Sequence, residues 1–292
     1  MKKLVALVLA LLLGALTLAS CSSSAVDISG ARSLADLAGA RISAQGGTFH
    51  EDALAQLPAG TVTSVYKEFD DMLVAVNAGV IDGYIAEEPT ALTVCLKDKN
   101  LDYIRLTNND TGFTATAEDV GIAVGLKKGS EDLKNRINAI LAEIPQETRM
   151  TLMEQMVRVR AGETVGEYAL KSERPASPNG VFVVAMECAY EPFNWTEIGK
   201  KTEGAVAITG EGKDNLYANG YDVRIAQYIA DKLGMTLEIR SEKWDNLVPS
   251  LNAGSVTAII AGMSPTADRQ KEVDFTDVYY SSNLVIVYKK SR

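Results

Sequence analysis

The chain has 292 residues, of which 47% are hydrophobic and 23% charged, as in ordinary folded globular proteins. A formal net charge of −9 without any basic run argues against nucleic acid as a partner, because phosphate binding requires clustered Lys and Arg. The single histidine disfavours a histidine-based metal centre, and we expect neither a metal nor a cofactor.

Residues 1–20 have the layout of an export signal. Two lysines precede an apolar run over residues 4–18, which is shorter than the roughly 20 residues of a membrane-spanning helix. The run is followed by Ala-Ser-Cys ending at Cys21, which resembles the lipobox of bacterial lipoproteins. This resemblance implies that Cys21 is lipidated and that residues 21–26 form a tether to the cell membrane. An uncleaved anchor is the alternative, and it also places the protein outside the cytoplasm.

Two cysteines remain once Cys21 is assigned to the lipid. Cys95 and Cys188 are far apart in sequence, so a disulfide framework is not predicted. One bridge between them is an alternative that we do not favour.

Apolar segments alternate with amphipathic helical patterns, which indicates an α/β fold. Strands are predicted at residues 41–44, 61–65, 83–86, 103–106, 121–125, 180–186, 236–241, 258–261 and 284–289. Helices are predicted at residues 48–56, 69–78, 88–97, 130–144, 146–160, 221–233, 246–253 and 266–272. Residues 162–179, with their Pro, Ser and Gly, are predicted to be a surface linker.

One arrangement occurs twice in the chain. A helix ends at Gly79 before an apolar strand, and another helix ends at Gly254 before a second apolar strand. Glycine is the preferred residue at such helix ends. The repetition predicts two lobes built from similar units.

A series of motifs after residue 180 resembles the polar amino-acid-binding proteins of ABC importers. These motifs are Val183 to Trp195, Gly220 to Val223, Trp244 with Leu247, Pro249 and Leu251, Ala261 to Arg269, and Asp274 to Thr276. Residues 27–160 resemble the part that normally follows, through Leu34 to Gly39, Gly46 to Thr48, and Asp82 to Glu87. The resemblance implies bacterial solute-binding protein family 3 and the type 2 periplasmic-binding-protein fold, with two lobes, a hinge and a ligand cleft.

The two blocks stand in the reverse of the family's usual order, which predicts a circular permutation. We expect lobe 2 to comprise residues 27–124 and lobe 1 to comprise residues 125–292. Lobe 1 would then contain the helical pair 130–160, the linker 162–179 and the block 180–292. We also expect the permutation to leave one covalent crossing, near Val124, and therefore a looser hinge than usual.

The α-carboxylate of an amino-acid ligand requires a cation and amide donors. A helix start is predicted here, with Ser264 as N-cap and Pro265 at the first helical position. Thr266 belongs to this first turn, whose free backbone amides can bind an anion. Arg269 can add two parallel hydrogen bonds from its guanidinium to the ligand's carboxylate. By resemblance, Arg269 binds the carboxylate, with Thr48 after the Gly46-Gly47 turn as a partner from the other lobe.

The α-ammonium requires an acidic partner and a carbonyl. By resemblance these are Glu87, at the carboxyl end of a predicted strand, and the carbonyl of Gly262. Glu88 is the alternative to Glu87. His50 is predicted at the cleft wall, where contact with the ligand and a purely structural role both remain open.

The side chain of the ligand is predicted to lie between aromatic rings. The family positions that enclose the ligand's side chain are matched by Tyr190, Phe193 and Trp244. Met263 is also included in the site. Trp195 is assigned to the core. Glu187 matches a position that meets cationic side chains when it is acidic. We therefore expect lysine, arginine or histidine as ligand, with glutamine or another polar amino acid as the alternative.

The function implied by the resemblance is delivery of an amino acid to importer permease subunits by a monomer, without catalysis. An arogenate or prephenate dehydratase-like enzyme on the same fold is the alternative, with Glu87 or Glu187 as acid or base. A receptor domain would need a signalling segment, and a serine hydrolase would need Gly-x-Ser-x-Gly; we find neither in the sequence.

Overall fold

Sixteen strands and seven α-helices form within residues 25–199 and 201–291, the part of the chain that a computed structural model describes. The predicted signal sequence and Cys21 lie outside these residues. No helix within the described ranges has the length and apolar character needed to cross a bilayer.

The bounds of the elements are given in chain order. The strands are β1 Arg41–Gln45, β2 Val62–Tyr66, β3 Gly83–Glu87, β4 Leu101–Arg105, β5 Gly121–Ile122, β6 Gly125–Lys127, β7 Val181–Met186, β8 Ala189–Tyr190, β9 Asn194–Ile198, β10 Val206–Ala207, β11 Leu216–Asn219, β12 Thr236–Ser241, β13 Ala258–Ile259, β14 Val273–Phe275, β15 Tyr280–Ser281 and β16 Leu284–Lys289. The helices are α1 Phe49–Leu54, α2 Phe69–Ala78, α3 Glu88–Lys97, α4 Glu131–Ala142, α5 Gln146–Arg160, α6 Tyr221–Lys232 and α7 Leu247–Asn252.

Lobe 2 is built on a five-stranded sheet in the order β2-β1-β3-β16-β4. Strand β1 runs parallel to β2 and β3, whereas β16 is antiparallel to both of its neighbours. All five residues of β3 are buried, so the centre of the sheet is covered on both faces.

Lobe 1 is built on a second five-stranded sheet in the order β12-β7-β13-β6-β14. Strands β12, β7 and β13 are parallel, and β6 is antiparallel to β13 and β14. A small antiparallel sheet, β10-β11-β9-β8, adjoins it. The two parallel cores confirm the predicted α/β class with two lobes.

The boundary predicted for lobe 1 is wrong at its far end. Strand β16 lies in the sheet of lobe 2, between β3 and β4, and not in lobe 1. The chain therefore crosses between the lobes twice, once through β5 and once through β15. These two crossings pair with each other, Tyr280 with Ile122 and Ser281 with Gly121. The expectation of one covalent crossing was wrong, and with it the basis for a looser hinge.

The glycines that end two helices behave as predicted. Gly79 caps α2 with φ of 72°, and Gly254 follows α7 with φ of 75°; both are left-handed conformations that glycine adopts without a Cβ clash. Buried strands follow both, β3 and β13. The two lobes therefore repeat one helix-glycine-strand unit.

The helix predicted at residues 266–272 is wrong. Only a 3₁₀ turn, Arg269–Lys271, forms there, with Asp268 and not Ser264 before it. The stretch has no buried apolar residue until Val273, so no hydrophobic face stabilises a longer helix. The short strands β8 to β11 are absent from the sequence prediction.

The linker packs on lobe 1. The side chain of Gln155 exchanges hydrogen bonds with the backbone of Glu167 and Ala169, and the guanidinium of Arg224 lies 3.8 Å from the ring centre of Tyr168. Among the described residues, Cys95 and Cys188 are both free thiols. Trp195 is 3% exposed and belongs to the core, as predicted.

Candidate functional site

A small cavity, with about 20 Å³ open to the centres of water-sized molecules, lies between the two lobes. It is lined from lobe 2 by Gln45, Thr48, Phe49, His50 and Glu87, and from lobe 1 by Glu187, Tyr190, Trp244, Gly262, Ser264 and Arg269. Most of these residues end a parallel strand or follow one. Cavities at the carboxyl ends of parallel strands are the usual binding sites of open α/β sheets.

The lobes are in contact around the cavity. Gln45 Nε2 donates to Glu187 Oε1 at 3.2 Å, and Trp244 Nε1 donates to the carbonyl of Gly47 at 3.4 Å. Outside the cavity, Lys97 of lobe 2 forms an ion pair with Glu191 of lobe 1 at 2.7 Å. The structure is therefore a closed form.

Arg269 provides the positive end of the cavity. Its guanidinium donates to the carbonyls of Ser264 and Gly47 and lies 5.1 Å from the ring centre of Trp244. Within the described residues it forms no ion pair with a carboxylate. Burial lowers the pKa of Arg269 to about 10, so the side chain is still charged at neutral pH. A half-buried guanidinium whose only hydrogen-bond partners are carbonyls can still bind an anionic group.

The Gly46-Gly47 turn before Thr48 contacts other protein groups in the structure. The amide of Gly47 donates to the Glu51 carboxylate at 2.7 Å, and its carbonyl accepts from Arg269. The Thr48 hydroxyl donates to the carbonyl of Gln45 at 2.7 Å. The turn therefore presents a carbonyl to Arg269.

Glu87 and His50 form a buried pair within lobe 2. His50 Nε2 lies 3.0 Å from Glu87 Oε1, and both residues are about 5% exposed. Glu87 Oε2 and His50 Nδ1 have no hydrogen-bond partner within the described residues. The alternative residue Glu88 points elsewhere and forms an ion pair with Arg105. The acidic group of the cavity at this strand end is thus Glu87.

Glu187 provides a second carboxylate. It is 7% exposed, and burial together with the neighbouring Glu68 raises the pKa of Glu187 to about 8. The hydrogen bond from Gln45 acts in the opposite direction.

The aromatic wall is partly as predicted. Tyr190 lines the cavity, and its hydroxyl is buried without a partner within the described residues. Phe193 stacks behind Tyr190 at 5.2 Å between ring centres and does not line the cavity. Trp244 lines the cavity while covering Arg269.

Two further predicted residues do not line the cavity. Thr266 is partly exposed, and its hydroxyl lies 3.5 Å from the backbone amide of Arg269. Met263 is a core residue, 2% exposed, whose carbonyl accepts from Ala123.

Gly262 requires the absence of a side chain. Its φ is 64°, and a Cβ there would lie 2.9 Å from the ring of Tyr190. Nearby, the fully buried Asp222 accepts hydrogen bonds from Tyr279 and Asn194 at 2.7 and 2.8 Å.

Sequence reasoning missed Gln45 and Phe49. Gln45 is the last residue of β1, as Glu87 is the last of β3. The predicted strand ended one residue early, at Ala44. Placing Gln45 at the strand end would have marked it by the same argument that marked Glu87.

Comparisons with known proteins support the resemblance over part of the chain. Residues 209–292 match the model of the bacterial extracellular solute-binding proteins, family 3. The arginine-binding extracellular protein ArtP of Bacillus subtilis is 41% identical over 37% of this chain and 36% of its own length. The probable histidine-binding protein of Neisseria gonorrhoeae is 26% identical over 40% of this chain and 38% of its own. The chain thus spans about a third of the length of these curated relatives.

Among solved structures, the substrate-binding protein of an amino acid ABC transporter is 40% identical over 34% of this chain and 39% of that chain, with a TM-score of 0.27. A phosphate-binding protein of a Streptococcus pneumoniae ABC transporter covers 86% of this chain and 88% of its own at 9% identity, with a TM-score of 0.40. The matched segment 209–292 supplies Trp244, Gly262, Ser264 and Arg269 to the cavity. It confirms the predicted resemblance of this chain to the bacterial extracellular solute-binding proteins of family 3.

Proposed function

We propose that the protein is an extracytoplasmic, lipid-anchored solute-binding protein of an ABC amino-acid importer, which binds a cationic L-amino acid by closure of its two lobes. The observation that carries this proposal is the distribution of charge in the interlobe cavity. The partly exposed guanidinium of Arg269, which has no ionic partner among the described residues, lines one cavity with two buried carboxylates, Glu87 and Glu187. An amino acid with a cationic side chain has the complementary charges.

Each ligand group has an assigned partner in this proposal. The α-carboxylate binds Arg269, and the α-ammonium binds Glu87 in place of its contact with His50. The cationic side chain reaches Glu187 past Tyr190. The unpartnered buried atoms of Glu87, His50 and Tyr190 support a polar ligand, because each unsatisfied buried group costs about 1–3 kcal/mol.

A thermal-shift screen of the purified protein against the twenty amino acids tests the function. A ligand at 100 times its Kd stabilises the folded protein by about 2.7 kcal/mol. We expect lysine, arginine or histidine to raise the melting temperature most, followed by glutamine. No shift with any amino acid would refute the proposal.

Replacing Glu187 with glutamine should selectively weaken binding of cationic amino acids. A charge-assisted hydrogen bond contributes about 1.5–3 kcal/mol, so we expect a loss of roughly tenfold or more for arginine and little change for neutral amino acids. Calorimetry with both ligand types measures this, with Glu211→Gln, an exposed carboxylate, as the matched control. An equal loss for all amino acids would contradict the assignment.

Glutamine is a second candidate because one observation favours it. The pKa of Glu187 near 8 makes this group a neutral carboxylic acid at pH 7 in the closed form, and the amide of Gln45 lies beside it. A neutral acid and an amide suit an uncharged amide side chain. In that case the screen would rank glutamine above the cationic amino acids.

Binding without catalysis is part of the proposal. We expect no turnover of prephenate or arogenate by the purified protein, as followed by absorbance of the aromatic product. Measurable turnover that depends on Glu87 or Glu187 would favour the dehydratase-like alternative.

We also propose that the protein is a monomer, and that it docks on the importer's permease subunits when its lobes are closed.

Replacement of Cys21 by alanine tests the lipid anchor. A diacylated cysteine holds a protein at the membrane, so the variant should move from the membrane fraction to the soluble fraction. Immunoblots of fractionated cells measure this, with Ser22→Ala as control. A variant that stays in the membrane would indicate the uncleaved anchor instead.

A further inference from the structure

Two consecutive residues of lobe 1 contact two helices of lobe 2. Tyr190 ends β8, and Glu191 follows it in the chain. The ring centre of Tyr190 lies 5.1 Å from that of Phe69 in α2, and Glu191 Oε2 lies 2.7 Å from Nζ of Lys97, the last residue of α3. Because Tyr190 also lines the cavity, this short segment connects the candidate ligand site to α2 and α3.

Phe69 gives Tyr190 a fixed apolar partner in lobe 2. It is 3% exposed, and its ring packs edge-to-face on Tyr84 of β3 at 5.4 Å between ring centres. In lobe 1, the ring of Phe193 stacks on Tyr190. Aromatic pairs in these geometries attract each other beyond the effect of the area that they bury. Of these three pairs only Phe69–Tyr190 joins the two lobes, so opening of the cleft breaks it and exposes apolar surface to water.

Glu191 is held in place before Lys97 reaches it. Its Oε1 pairs with Arg160 of α5, the helix assigned to lobe 1, and the guanidinium of Arg160 lies 5.7 Å from the ring centre of Trp195. Opening therefore leaves Glu191 with one cationic partner and breaks only its contact with Lys97. The side chain of Lys97 is 35% exposed, so dissolved salt can screen this ion pair.

One more charged group lies near this ion pair. Burial and the charge of Glu191 raise the pKa of Asp70 in α2, whereas Lys97 and Arg160 lower it. Two carboxylates and two cations thus lie together where α2 and α3 contact lobe 1. Without Lys97, two negative charges would remain beside the single positive charge of Arg160, and their repulsion would oppose closure.

We propose that Phe69 and Lys97 are positioning residues that set the affinity for the ligand without touching it, by holding the closed form through Tyr190 and Glu191. We call these four residues the closure latch. The affinity that is measured includes the population of the closed, binding-competent form. A contact made only in that form therefore strengthens binding of every ligand by the same factor. The part of the inference that concerns ligand affinity rests on the proposed function.

A series of substitutions at Lys97 tests the ionic half of the closure latch. Lys97→Ala should weaken binding of each amino acid by about three- to fivefold, as expected for a partly exposed ion pair. Lys97→Glu should weaken it by roughly tenfold or more, because it places like charges together across the cleft, and Lys97→Arg should bind as the parent protein does. Titration calorimetry with the amino acids that bind in the thermal screen measures these ratios.

Lys99→Ala is the matched control, because Lys99 is an exposed lysine two residues beyond Lys97. It should bind every ligand as the parent protein does. Equal affinities in Lys97→Ala and Lys99→Ala would overturn the ionic half. A loss in Lys97→Ala that is confined to one ligand would also overturn it, because a closure contact acts on all ligands alike.

Salt dependence separates the ion pair from a role of Lys97 in the stability of α3. In about 1 M NaCl, where the Debye length is about 3 Å, the affinity ratio of the parent protein to Lys97→Ala should fall towards one. At low salt the loss should appear as faster dissociation of the ligand, measured by stopped-flow fluorescence. A ratio that does not change with salt would show that Lys97 acts through its helix and would refute the proposed ion pair.

Phe69→Leu tests the aromatic half. The variant stays apolar but loses the edge-to-face pairs, so binding of all ligands should weaken by about three- to tenfold, independently of salt. Phe113→Leu is the control, because Phe113 is fully buried in a separate apolar cluster of lobe 2. It should leave the affinity unchanged while lowering the melting temperature. Parent-like affinity in Phe69→Leu, or an equal loss of affinity in both variants, would overturn this half.

A measurement without ligand separates the closure latch from the proposed function. Small-angle scattering of the ligand-free protein reports the separation of the lobes, and Lys97→Glu should be more open than the parent protein and Lys97→Arg. This opening, together with no binding of any amino acid by the parent protein, would remove the proposed function and keep the closure latch. Amino-acid binding with the same affinity in the parent protein, Lys97→Glu and Phe69→Leu would keep the function and remove the closure latch.

Discussion

Arg269→Ala should weaken amino-acid binding by two to three orders of magnitude. The α-carboxylate would be buried opposite Trp244 and the carbonyl of Gly47, with no cation to balance it. Removing one partner of a buried ion pair costs about 3–5 kcal/mol, because the remaining charge stays buried. The loss should therefore be similar for every amino acid, in contrast to Glu187→Gln. Titration calorimetry with the best ligand from the thermal screen measures it.

Two control variants sharpen this test. Arg269→Lys retains the charge but not the two-pronged geometry, and should recover part of the lost affinity. Arg240→Ala removes an arginine that pairs with Glu238 at the surface and should leave binding unchanged. Unaltered affinity in Arg269→Ala would refute the assignment of the carboxylate subsite.

Gly220→Ala should destabilise the folded protein by about 2–4 kcal/mol, since it combines backbone strain with a clash. Gly220 has φ of 131°, and a Cβ there would lie 2.3 Å from the carbonyl oxygen of Phe193 and 2.9 Å from the Cα of Asn194. Both neighbours are backbone, so no side chain can move aside. The adjacent amides of Tyr221 and Asp222 donate to the carbonyls of Pro192 and Phe193, so the backbone shift would also disturb the Tyr190–Phe193 wall. Thermal unfolding should show a melting temperature lower by roughly 5–15 °C.

Gly212→Ala is the matched control for this variant. Gly212 has φ of 71°, but a Cβ there would meet nothing within 4 Å. Its replacement introduces conformational strain alone, which costs about 1 kcal/mol. Equal destabilisation by the two variants would show that the close approach to Phe193 is not the cause.

Most elements could be predicted from sequence because their patterns are local. The predicted helices 69–78, 88–97 and 146–160 match α2, α3 and α5 residue for residue, since each carries a clear apolar face or a marked start and end. The helix at 266–272 was wrong because Ser264 and Pro265 resemble a helix start without an apolar face to follow. Start signals without packing do not make a helix.

The sheet to which β16 belongs could not be read from its own residues. Its alternation and β-branched composition predict a strand but carry no information on its partners, since pairing depends on packing elsewhere in the fold. The residues of the candidate site also differ in how far their roles can be predicted from local sequence. Glu87 and Arg269 stand out by local position, whereas the hydrogen bond from Gln45 to Glu187 forms only between the closed lobes.

The position of β16 bears on when the protein can mature. Its neighbours β3 and β4 are synthesised early, yet β16 separates them and pairs with both. Until those late residues leave the ribosome, β4 has no partner in the sheet and one side of β3 is unpaired. The sheet of lobe 2 can therefore be completed only after residues 284–289 have been synthesised, although its other four strands lie within the first 105 residues.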